Sequence, residues 1–180
     1  MIIKYILIIL FLASPCFADT EYIYPSSDNG GWDAGTYDSI NDPAASPNDS
    51  DLIYETTKSI SITGTMTDLA TADANDTYNY IIIHGRSQLT GTPGNETVDF
   101  VVAQGAESST LTSGSNASWT TDNSVQITTH NSYAEINALA YTITSKASGA
   151  ESVDQWQVSQ FYVEVNYTPV TTARRIISTQ

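Results

Sequence analysis

The sequence predicts an all-β protein: a single antiparallel β-sandwich of about eight to ten short strands. Three observations point there. Runs in which apolar and polar residues alternate recur along the chain, separated by polar turns about every 8–12 residues. Those runs are rich in Thr, Tyr, Val and Ile, residues that suit a pleated, half-buried surface, and Tyr alone occurs 11 times. No helical stripe of about ten residues lies between strands, which argues against a parallel sheet built from βαβ units.

Residues 1–18 read as an export signal. Met1 to Lys4 form a short positive start, Tyr5 to Ala13 an apolar core, and Pro15 breaks it before Cys16-Phe17-Ala18, a cleavage-site pattern. The apolar run is shorter than the roughly 20 residues that span a bilayer, so no membrane span is expected once the signal is removed. Pro15 and Phe17, on either side of Cys16, argue against lipid attachment there. Removing the signal leaves 162 of 180 residues, enough for one well-packed domain over 19–169, followed by a tail over 170–180. Cys16 is the only cysteine, so the remaining chain has neither a disulfide framework nor a thiolate metal site.

Each element is legible in turn. An extended piece at Tyr22 to Tyr24 opens the domain. A turn-rich arm follows, punctuated by Asn29-Gly30-Gly31, Asp42-Pro43 and Ser46-Pro47 and anchored by Trp32, Tyr37 and Ile40. Short strands are predicted over Leu52 to Glu55 and Ser59 to Thr65, then a polar loop over Thr67 to Thr77. Tyr78 to Arg86 is the most apolar strand and is placed centrally. Thr97 to Gln104 follows a turn at Thr92 to Gly94, with Val98, Phe100 and Val102 on one side. Glu107 to Leu111 reads as an edge strand. Another strand lies within Trp119 to Thr128, around Val125 and Ile127. A short helical turn fits within Ser132 to Ala140. Leu139 to Ser145 alternates again, Ser148 to Ser152 is a loop, and Gln157 to Tyr167 closes the domain with Phe161, Val163, Val165 and Tyr167 in phase.

Taken in order, Trp32, Tyr37, Ile40, Asp42-Pro43 and the run from Asp49 to Tyr54 resemble the opening of a jelly-roll-like module. Such modules occur in phage structural proteins and secreted bacterial or archaeal surface proteins. The closing strand from Ser159 to Tyr167 is similar to that module's end, so the resemblance spans residues 22 to 167. It implies a jelly-roll-like sandwich with a structural, adhesive or decoration role, or a carbohydrate-binding one. It carries no catalytic residues over.

The charge narrows the partners. The chain carries −14, and −15 once Lys4 leaves with the signal. Such a balance argues against nucleic acid, whose phosphates need a basic face, and against anionic membrane surfaces. Asp49, Asp51, Asp73 and Asp76 offer alternating oxygens as calcium candidates, weighed against solvated acidic turns; neither stretch matches an EF-hand loop. No other cofactor is implied. His84 and His130 are the only histidines and lack metal-site spacing. Trp32, Trp119 and Trp156 are candidates for a sugar-stacking platform, weighed against ordinary core packing. Asn48, Asn75, Asn95 and Asn116 are glycosylation candidates; a fifth sequon, at Asn166, falls in a strand. No G-x-S-x-G or other nucleophile signature occurs.

These readings lead to an expectation. The chain is a secreted, non-enzymatic structural or adhesive protein of the cell exterior, a subunit of a filament, surface layer or matrix. It associates with itself or with surface and matrix components, and the arm Asp19 to Tyr24 and the tail Val170 to Gln180 are candidate donor strands. The alternative is a carbohydrate-binding module whose exposed aromatics contact glycans.

Overall fold

The structure is a computed structural model describing residues 17–92, 94–114, 117–120, 123–147 and 153–170. The export signal up to residue 16, the loop 148–152, Asn116 and the tail beyond Val170 lie outside the described residues. Among the described residues nine strands form, in the order β1 (Asp19–Ile23), β2 (Ile53–Glu55), β3 (Ser61–Thr65), β4 (Thr77–Gly91), β5 (Glu96–Gln104), β6 (Glu107–Ser113), β7 (Asn123–Ile127), β8 (Ala140–Ala147) and β9 (Val153–Thr168). One helical turn, α1 (Tyr133–Ile136), lies between β7 and β8.

Two antiparallel sheets face each other. The first runs β1-β9-β4-β7, with β2 also on β9; the second runs β3-β8-β5-β6. From β3 to β9 every connection changes sheet except the β5–β6 hairpin. That interleaving is the jelly-roll arrangement. The hairpin turns on Gly105 at φ +60 in a two-residue loop, the turn geometry that matches strand twist.

β1 and β2 share one flank of β9: β1 against residues 163–167 and β2 against 156–158. Between them the Phe161 amide donates to the Ile40 carbonyl at 2.8 Å. The detour from 24 to 52 is held down along its course. The Ser26 and Asn29 amides donate to Thr65 and Thr63 carbonyls at 2.8 and 2.9 Å, covering the edge of β3. This close approach needs Gly64, where a Cβ would sit 1.8 Å from the Ser27 carbonyl oxygen. Ala34 then bridges Tyr54 on the outer edge of β2. The N-terminal piece expected as a donor strand thus pairs with the chain's own β9, because its alternation fits that register.

The core lies between the sheets. Ile81 and Ile83 of β4 and Phe161, Val163 and Val165 of β9 meet Val98, Phe100 and Val102 of β5 and Tyr141 and Ile143 of β8, all buried. Phe100 and Phe161 stack across the sheets at 5.7 Å. Gly85 makes room for them, since a Cβ there would come within 2.7 Å of the Phe100 ring. A buried hydroxyl pair, Ser87 and Ser113, links β4 to β6 at 2.6 Å.

Several boundaries differ from expectation for physical reasons. β3 begins at Ser61, not Ser59, because Ser59 adopts φ +62 and cannot continue a strand. β4 extends to Gly91, its polar end secured by pairing to β9. β9 starts at Val153 and changes phase at a bulge. Arg86 pairs Gln160 but Ser87 pairs Val158, which leaves Ser159 as the extra residue. Trp156 and Val158 therefore face the core, as Phe161 and Val163 do.

Candidate functional site

The outer face of the first sheet carries a cluster of aromatic and ionisable side chains. β4 sends Ile81 and Ile83 inward, so period-two alternation sends Ile82, His84 and Arg86 outward. Registry places Glu164, Tyr162 and Gln160 of β9 beside them, with Tyr22 of β1 beyond Glu164 and Gln126 and Ser124 of β7 on the other side. The His84 ring stacks on Tyr162 at 4.4 Å, nearly parallel, and its Nε2 lies 3.4 Å from Glu164 Oε2. Tyr22 meets Tyr162 edge-on at 5.8 Å and Tyr24 packs on it at 6.1 Å. Tyr22 is the most solvent-accessible of these rings, 43% exposed. Burial, helped by the negative charge of Glu164, holds its phenol above the ordinary tyrosine range.

One end of this face is closed by the 42–49 segment. Gln160 Nε2 donates to the Asp42 and Pro43 carbonyls at 3.2 and 2.8 Å. Arg86 clasps Asp49 through both oxygens, Nε to Oδ1 at 2.6 Å and Nη2 to Oδ2 at 2.5 Å. Its Nη1 donates to the Thr120 carbonyl, and its guanidinium lies over the Trp119 ring, 5.8 Å from the centroid. The bulge residue Ser159 donates to Asp49 Oδ1 at 2.8 Å. Bidentate bonding from Arg86 holds the Asp49 carboxyl below the usual carboxylate range and raises the guanidinium in turn. Of this cluster His84, Tyr162 and Gln160 are buried against one another, so Tyr22 is the ring that offers a face to solvent.

The sequence candidates fall elsewhere. Trp156 is fully buried, its indole donating to the Lys146 carbonyl at 3.2 Å. Trp32 is 8% exposed and donates to the Ile60 carbonyl at 3.3 Å. Neither offers a face to a sugar, because each seals the core and satisfies its N–H against backbone. Trp119 alone is partly exposed, beside Arg86. Of the calcium candidates, Asp49 is engaged by Arg86 and Ser159, while Asp51 is exposed in the following turn. Asp73 Oδ1 accepts from the Asn75 amide at 2.7 Å, and Asp76 accepts from Asp73 and Val170 amides, both at 2.9 Å. These alternating oxygens shape their own turns. Among the described residues no three His, Cys, Asp or Glu side chains gather as a metal site requires. His130 lies apart from this cluster, in the loop after β7. It is buried at φ +58, with neither ring nitrogen hydrogen-bonded. Asn48, Asn75 and Asn95 are exposed, whereas Asn166 binds Asn79 across the sheet.

The tyrosine–histidine–glutamate cluster escaped sequence reasoning because its members come from β1, β4 and β9, joined only by registry. Alternation around Tyr162 and His84 was visible, but not that the two rows are neighbours. Comparison with protein-family models and with curated proteins finds no match for the chain.

Proposed function

We propose that the chain is an exported, non-enzymatic structural or adhesive subunit of the cell exterior, in keeping with the surface and phage modules its sequence resembles. One observation supports this best: its carboxylates serve as braces. Asp28 accepts from the Tyr37 amide at 2.6 Å, Asp33 from Thr56 at 3.0 Å and buried Glu55 from Thr57 at 2.7 Å. Asp42 accepts from Asn48 at 2.6 Å, and Glu21 takes the Ala70, Thr71 and Ala72 amides. An arm that would otherwise be loose is thereby fixed along both sheets, as a building block requires. Negative-stain imaging and light scattering across a concentration series test this reading. Defined oligomers or filaments support it; a monomer throughout sinks it.

A second reading, glycan binding, rests on the exposed ring of Tyr22, backed by Tyr162 and bordered by Glu164. A glycan screen with the protein and with Tyr22→Ala tests it: binding lost in the variant supports it, and no binding in either removes it.

A further inference from the structure

The two flanks of the sandwich are treated differently. On one, residues 26–29 cover β3 and Ala34 covers β2. On the other, β6 ends the second sheet; among the described residues no segment hydrogen-bonds its outer backbone, and the nearest side-chain contact is the Ser109 hydroxyl with that of Thr129 at 3.5 Å. Gln104 and Glu107 flank the two-residue hairpin turn and so form a hydrogen-bonded pair; alternation then turns the amides and carbonyls of Ser108, Thr110 and Thr112 away from β5. Those three residues also have exposed side chains. The edge carries no proline or lysine and a single charge, Glu107, so it lacks the usual guards against pairing. β7, the end strand of the other sheet, is shorter, at five residues.

We infer that β6 is a self-pairing edge through which a second copy of this chain joins the two β3-β8-β5-β6 sheets into one. This rests on the reading of the chain as an assembling subunit. An antiparallel twofold centred on Thr110 sets Thr110 against itself, Ser108 against Thr112 and Glu107 against Ser113. Each outward-facing donor and acceptor then meets its complement, and hydroxyl side chains face one another across the join. The two Glu107 carboxylates fall at opposite ends, roughly 20 Å apart along the strands, beyond the screening length at physiological salt. Because both bodies are strongly acidic, pairing through a nearly uncharged edge strengthens as salt rises. Docking of the basic Arg174-Arg175 segment on a neighbour's acidic surface would weaken instead.

The test is light scattering over a concentration and salt series for the protein, for Thr110→Pro and Thr110→Lys, and for Arg174→Glu/Arg175→Glu. The Thr110 amide points away from β5, so proline there spares the ladder inside the sheet. Near-ultraviolet circular dichroism checks folding, and Thr110→Lys serves if the proline variant is unfolded. On a Cys16→Ser background, Thr110→Cys supplies the only thiol. Across a twofold pair the Cα atoms lie about 5.5 Å apart, within disulfide range. The expected result is a dimer that tightens with salt and crosslinks through Cys at 110. Thr110→Pro should weaken it by at least roughly a hundredfold, the effect of leaving edge hydrogen bonds unmade; Thr110→Lys keeps the amide but sets two like charges opposite each other and should weaken it several-fold, while the arginine reversal leaves it intact. Self-association unaffected at Thr110 and without crosslinking overturns the β6 edge while leaving the assembly reading standing. Loss only in the arginine variant transfers the contact to the tail. A monomer under every condition overturns both.

Discussion

Arg86 joins β4, the 42–49 segment, the loop at Thr120 and, through Asp49, the bulge in β9. Asp49→Asn removes the charge but keeps the shape. Losing one charged hydrogen-bonded partner is expected to cost about 1–3 kcal/mol in denaturant unfolding at neutral pH. The pH dependence has a definite sign. Asp49 titrates below its ordinary value in the folded protein, so its contribution is fully present above the unfolded carboxyl range. It is lost as pH falls through the lowered value. The stability gap between the protein and Asp49→Asn should therefore be constant above about pH 5 and shrink below about pH 4. Gly85 gives a steric counterpart: Gly85→Ala drives a methyl into the Phe100 ring and should cost about 1–3 kcal/mol, read as a lower urea midpoint. Trp156→Ala, at a fully buried site, should cost about 3–5 kcal/mol, whereas Trp119→Ala, at a partly exposed one, should cost far less.

At the level of elements, what the sequence revealed depended on whether the cause was local. Alternation at Val98-Phe100-Val102 and at Leu139-Tyr141-Ile143 reports which face is buried, and those residues are buried. The helical turn at Tyr133–Ile136 falls within the Ser132 to Ala140 stretch read as one, and Ser132 caps it, its hydroxyl accepting from the Glu135 amide. The bulge at Ser159 was not legible, because it is set by the partner strand; so the strand was read only from Gln157, and Trp156 was weighed between a sugar-stacking platform and the core packing it adopts. The aromatic cluster was hidden for the same reason, since Tyr22 and His84 acquire Tyr162 only through β9. Glu21 shows how an element depends on a remote group. Burial raises its carboxyl's pKa, but bonds from Ala70, Ala72 and Thr71 outweigh this and lower it overall. Glu21→Gln should leave the sheets intact yet loosen residues 70–72, seen as faster amide hydrogen exchange confined to that stretch.

For the whole molecule, charge governs behaviour in solution. All 20 acidic residues lie between Asp19 and Glu164, against three basic ones in the same span, Lys58, Arg86 and Lys146. Arg86 pairs with Asp49 and Lys146 with Asp99, so many carboxylates repel one another without compensation. Raising sodium chloride from about 0.02 to 0.5 M should screen that repulsion and raise the thermal midpoint by several degrees, roughly what 1–2 kcal/mol does at this size. A falling midpoint would mean that the few ion pairs outweigh the general repulsion.

The pairing of β1 with β9 bears on tension. Asp19 lies opposite Tyr167, so the two ends of the domain leave from the same side of one antiparallel pair. A pull applied through both ends would load the β1–β9 bonds one after another, like a zipper, rather than all together in shear. β1 would peel away at low force, and Ile23 would then be drawn out of the core it seals. A chain tethered by both ends would thus be a yielding link, whereas a contact made across its flank would leave that seam unloaded.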